Sequence, residues 1–121
     1  MLALAGIYDW WLDTTKKQDD PNRWLLSFAI LTKDAAKPLE FIHERNPILL
    51  SESAMAEWLD PDNLEDPENT TQDLLNELSS ESDEIAEKVE IWPVGVEAGN
   101  VRNNSPELLI SRQSKNEVFP S

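Results

Sequence analysis

The 121-residue chain contains no cysteine. Disulfides, thiolate ligands and thiol redox chemistry are therefore excluded within it. It contains one histidine, His43. Imidazole is the one side chain that titrates near neutral pH when unperturbed, so acid–base chemistry falls first to His43. No apolar run approaches the length of a membrane-spanning helix, and no membrane segment is expected. The start, MLALAGIYDWWLD, lacks the basic region of a signal peptide. A cytoplasmic location is the default expectation.

Basic residues are scarce: ten Lys and Arg stand against twenty-four Asp and Glu, a net charge of −14. Generic attraction to a phosphate backbone needs clustered cations, and this balance opposes it. The imbalance is local. Residues 1–45 hold seven acids and six bases, residues 46–91 hold fourteen acids against Lys88 alone, and residues 92–121 hold three of each. The acidic segment reads as a solvated face, or as a contact for a basic partner or a mimic of nucleic acid. It contains no D-x-[DN]-x-[DN]-G run, so no calcium loop is expected, and neither metal nor cofactor is assigned.

The length fits one domain of ordinary size, and the 40% hydrophobic content includes five tryptophans, enough for a modest core. Residues 2–8, LALAGIY, predict a buried strand in which Gly6 marks a bulge or close backbone approach. DTTKKQDDPN is a loop closed by Pro21-Asn22. WLLSFAILT, residues 24–32, predicts a second strand, antiparallel to the first. Residues 34–42 suit a short irregular helix capped by Asp34 and limited by Pro38. Ile48, Leu49 and Leu50 predict a short strand. Ser51 can cap a helix whose Met55, Trp58 and Leu59 share one face, stopped by Asp60-Pro61. Residues 61–70 read as a surface loop, 71–78 as a short helix capped by Thr70, and SSESDE as a polar, mobile stretch. The tail from Val94, with Gly95, Gly99 and Pro106, predicts strand and turn. Trp24 and Trp58 fall in periodic apolar patterns and are expected in the core. Trp10, Trp11 and Trp92 are less determined, and stacking platforms for bases are one reading of them. The class is α+β, with antiparallel strands and short flanking helices.

The residues alone leave His43 two roles. It can be a hydrogen-bonded structural histidine at a helix-to-strand junction. It can also be the proton shuttle of a site in which Arg102 clamps an anion and Asn100 donates hydrogen bonds. There is no G-x-S-x-G run to supply an activated serine.

Four segments in order carry a resemblance: LALAGIYDWW, SFAILTKDA, IHERNPILLS and WPVGVEAGNVRNNSPELL. Together they resemble the C-terminal half of the SOS response-associated peptidase family, whose members process abasic sites. On this reading, residues 1–121 are a C-terminal portion of a β-rich, incomplete domain with an acidic loop or helix insert at about 61–84. The resemblance implies binding of single-stranded DNA and a covalent reaction with the aldehyde of an abasic site, the work of a crosslinking lyase or peptidase. It implies an acid–base role for His43 through I-H-E-R-N-P. Arg45, Asn100, Arg102 and Asn103 are expected as DNA or structural contacts. The family's N-terminal cysteine nucleophile is absent, since residue 2 is Leu. Two kinds of function follow. One is a family member that is inactive alone, or that works with a separate chain carrying the N-terminal half. The other is a non-enzymatic interaction module whose apolar strands complete a partner's sheet.

Overall fold

The computed structural model describes residues 1–64 and 67–112. They fall into two units, Met1–Lys88 and Val89–Ser121, each treated by itself.

The first unit is a mixed α+β domain built on three extended segments, each broken once. The first gives β1 (Ala3–Leu4) and β2 (Gly6–Leu12), and the second gives β3 (Trp24–Ile30) and β4 (Thr32–Asp34). The third gives β5 (Arg45–Pro47) and β6 (Leu49–Leu50). All pairing is antiparallel, β1 with β6, β2 with β3, and β4 with β5. Each segment therefore changes partner at its break.

The three break residues bond in a ring. Ala5 N–H donates to the Ile48 carbonyl at 3.0 Å, Ile48 N–H to Leu31 at 3.0 Å, and Leu31 N–H to Ala5 at 2.9 Å. Buried backbone groups need partners, and the ring supplies them where the ladders stop. Ala5 is fully buried there. Gly6 follows at a close approach: a Cβ on it would lie 3.3 Å from the Ala29 carbonyl oxygen.

Two helices cover this junction. α1 (Glu52–Trp58) starts as the sequence predicts, with Ser51 Oγ accepting from Ala54 N–H at 3.1 Å. Trp58 packs against the core and donates its indole N–H to the Gly6 carbonyl at 2.9 Å. α2 (Pro67–Ala86) is much longer than the predicted 71–78. It begins at Pro67, where proline suits a first turn, so position 70 lies inside the helix and not at its start. It also continues through the SSESDE stretch. The reason is tertiary: α2 packs on β6, and it buries Leu78, Ser82 and Ala86. Ser82 Oγ accepts from Leu49 N–H at 2.9 Å, and Lys33 Nζ bonds the Ser79 carbonyl and pairs with Asp83. Ala5, Ile48, Leu50, Ala54 and Leu78 form the core, joined by Leu31, Met55, Trp58 and Leu74.

The β2–β3 hairpin extends away from that core with exposed side chains. Trp24, expected inside, is 54% exposed, because it pairs with Leu12 at the end of the hairpin remote from the core around Ala5 and Ile48. Asp34 also departs from expectation. It pairs with Arg45 in the β4–β5 ladder, and the 3-10 turn Lys37–Leu39 starts instead after Ala36.

In the second unit the described residues form 3-10 turns at Val96–Gly99 and Pro106–Leu109 and no strand. Trp92 Nε1 donates to the Leu109 carbonyl at 2.8 Å, and Arg112 N–H to Pro93 at 2.8 Å. Among the described residues of the chain, no helix is long and apolar enough to cross a membrane.

Candidate functional site

His43 lies in the connection between β4 and β5. That connection is closed by backbone bonds at its mouth, where Ala35 N–H donates to Glu44 at 3.0 Å. Pro38 sits in the first turn of the 3-10 segment, where its missing N–H costs nothing. Ile42 and His43 both donate to the Leu39 carbonyl, at 3.0 and 3.3 Å. Asn46 anchors the base. It is buried, its Oδ1 accepts from Ala36 N–H at 2.8 Å, and its Nδ2 donates to the Pro47 carbonyl at 2.7 Å.

These contacts present His43 to solvent with one nitrogen held. Nδ1 lies 3.0 Å from Arg45 N–H and 3.1 Å from the Arg45 carbonyl oxygen. An unprotonated Nδ1 accepts from the first, and a protonated Nδ1 donates to the second. The ring therefore keeps a backbone partner in either state. Nε2 has no protein partner among the described residues. An imidazole fixed at one nitrogen and free at the other is suited to proton transfer.

Arg45, two residues on, faces back into its own hairpin. Its Nε donates to Thr32 Oγ1 at 3.1 Å, one terminal nitrogen to Asp34 at 2.9 Å, and the other to the Thr32 carbonyl at 3.0 Å. Arg45 stands directly opposite Asp34, and Thr32 is its diagonal neighbour. The guanidinium clamps the two strands, and only its remaining N–H groups face outward. Sequence reading missed Thr32, Asp34 and Asn46 as the groups that shape this turn. The period-two spacing of Thr32 and Asp34 was the available signal.

Asn100, Arg102 and Asn103 come together in the second unit. Asn100 Oδ1 accepts from Arg102 N–H at 3.0 Å, and Asn103 Nδ2 donates to the Glu97 carbonyl at 2.9 Å. Both asparagine side chains thus hold the turn that follows Val96–Gly99. The Arg102 side chain is exposed and makes no hydrogen bond or ion pair among the described residues. No group of three or more His, Cys, Asp or Glu suited to a metal ion occurs among the described residues.

The fold defines the class first: a small α+β domain of antiparallel strand pairs whose helices cover one junction and whose single histidine stands on an exposed turn. The model of the SOS response associated peptidase (SRAP) family matches residues 1–101, and the chain belongs to that family. Its relatives include the abasic site processing protein HMCES of Gallus gallus, 32% identical over 111 residues, which cover 91% of this chain and 29% of that protein. The abasic site processing protein YoqW of Bacillus subtilis is 32% identical over 111 residues, 92% of this chain and 43% of that one. YoaM of the same organism is 31% identical over 109 residues, covering 90% and 42%. The chain spans less than half the length of these curated relatives. One expectation is corrected: the resemblance had been assigned to the family's C-terminal half alone. The family match runs from residue 1 to residue 101 and takes in most of the chain.

Proposed function

We propose that this chain acts on abasic sites in single-stranded DNA, with His43 moving protons at the abasic aldehyde, and that it forms no covalent crosslink on its own. The family match is the observation that carries this reading. The geometry of His43 supports its share: Nδ1 is held by the Arg45 backbone and Nε2 is free to reach a substrate. The composition supports the rest. The chain holds no cysteine, and a Schiff base between a lysine amine and an aldehyde is reversed by water, so no bond that survives denaturation is expected. Arg45, Asn100, Arg102 and Asn103 are the proposed contacts to DNA. Of these, Arg102 has the freest cation, while the asparagine side chains act through the turn they stabilise.

Electrostatics set the conditions. The segment that carries His43 is near charge balance, whereas the acidic excess lies in residues 46–91. Binding is therefore weak and confined to low salt.

The test uses a single-stranded oligonucleotide with one abasic site beside an intact one of the same sequence. Expected are low-salt binding that prefers the abasic strand, a loss of that preference in His43→Gln, and no band shift on a denaturing gel. A crosslink that survives denaturation would falsify the inactive-alone reading. Equal binding of both strands would remove the abasic-site reading.

A further inference from the structure

No residue from 37 to 45 is buried, and Phe41 and Ile42 are 77% and 57% exposed. Apolar packing therefore does not fix the turn that carries His43. Asn46 and Ser82 are the buried polar side chains among the described residues. Ser82 fastens α2, and Asn46 lies at the root of the His43 turn.

A series of hydrogen bonds joins Asn46 to His43. Asn46 Oδ1 accepts from Ala36 N–H at 2.8 Å, the Ala36 carbonyl from Leu39 N–H at 2.8 Å, and the Leu39 carbonyl from His43 N–H at 3.3 Å. Asn46 Nδ2 donates to the Pro47 carbonyl at 2.7 Å, on the strand that also carries Arg45. One buried amide thus ties the arm that places the His43 backbone to the strand that places the Arg45 peptide. That peptide is open to the ring. Ala35 bonds Glu44 at one end of the ladder, and Ile48 bonds Leu31 beyond the other. Bonded pairs alternate with open ones, so Asp34 and Arg45 form an open pair. The Arg45 N–H and carbonyl point away from β4 and meet His43 Nδ1 at 3.0 and 3.1 Å. A backbone amide has one proton to give, whereas a carbonyl has a second lone pair for water. The neutral ring is therefore better served by leaving Nδ1 unprotonated.

We propose that Asn46 is the positioning residue for His43: it holds the ring on the Arg45 amide and so keeps the proton of the neutral imidazole on Nε2. The proposal rests on the reading of His43 as the proton carrier at the aldehyde. It adds that the neutral ring offers a bound group a hydrogen rather than a lone pair, and that a buried asparagine outside the reach of any substrate decides this.

Two-bond proton–nitrogen NMR of the purified chain at about pH 9, where an imidazole is neutral, reads the tautomer. His43 is the one histidine, so its ring signals are unambiguous. Expected in wild type are an unprotonated Nδ1 and a protonated Nε2, and the reverse overturns the proposal. Asn46→Ser breaks the direct tie while leaving room for a water on Ala36 N–H, which favours a folded variant. The Nδ1 signal is expected to move toward the protonated position, and the Arg45 amide to exchange about tenfold faster. Asn46→Asp keeps the acceptor for Ala36 N–H and is expected to keep the wild-type ring signals. Ser82→Ala loses a buried hydrogen bond away from the turn and is expected to move neither readout. Circular dichroism checks the fold of each variant. A folded Asn46→Ser with wild-type ring signals overturns the proposal, and so does an equal shift in Ser82→Ala. A folded Asn46→Asp with altered ring signals overturns it whether or not Asn46→Ser folds. Asn46→Ser is also expected to lose the preference for the abasic strand, as His43→Gln does. If wild type shows no such preference, the functional reading fails, and the ring signals still decide the role of Asn46.

Discussion

Ser82→Ala isolates the contact that fastens α2 to the strands. Ser82 is fully buried, and its hydroxyl is the acceptor for Leu49 N–H across 33 positions of sequence. Leu49 is itself buried, so water does not replace the lost partner. Leaving a buried donor unsatisfied costs about 1–3 kcal/mol. Alanine is the better helix former by roughly half a kcal/mol, which offsets part of the loss. The exposed neighbour Ser80 measures that offset directly through Ser80→Ala. The expected net loss for Ser82→Ala is about 1–2 kcal/mol, with Ser80→Ala neutral or slightly stabilising. Urea unfolding followed by helical circular dichroism reads both, and the midpoint should fall with no change in slope. For a unit of this size the melting temperature falls by roughly 5–10 °C. A loss below about 0.5 kcal/mol after the Ser80 correction would refute the reasoning, because the helix would then be held by its leucines and the Lys33 contacts without help from Ser82.

Leu78→Ala empties the most buried large side chain and is expected to destabilise by about 2–5 kcal/mol in the same assay. Ser51→Ala removes the acceptor for Ala54 N–H and should cost about 1 kcal/mol, with helix loss confined to α1 in amide exchange. The Asp13 carboxyl is held below the usual aspartate range by the Thr15 hydroxyl and then by the Thr15 backbone N–H. A depressed carboxyl stabilises the folded state above its unfolded pKa, and that stability fades as pH falls through the folded value. Carbon-detected NMR titration should show Asp13 moving up toward the ordinary aspartate value in Thr15→Val, and an unmoved midpoint would reject the hydroxyl as the main cause.

Much of the fold was legible because its signals are local. Runs of large apolar residues marked the strands, and Ser51 marked a cap that the structure forms. Gly6 marked a close backbone approach. The length of α2 was not legible, since SSESDE looks like solvent-facing chain until Leu49 is seen to need the Ser82 hydroxyl. The candidate site divided similarly. His43 was found from its uniqueness and its motif, whereas the buried Asn46 that props its turn gave no sign beyond being polar.

The sequence by itself determined the chemistry available: one imidazole, no thiol, an acidic middle segment, and strand and helix tendencies set by neighbours a few residues apart. Only the tertiary structure decided which strand pairs with which. The exchange of partners at Ala5, Leu31 and Ile48 is a ring of hydrogen bonds among residues far apart in the chain, and no local pattern encodes it. Burial is likewise non-local. Trp58 and Trp24 both fall in periodic apolar patterns, yet Trp58 packs against the core while Trp24 stands at the end of the hairpin remote from it.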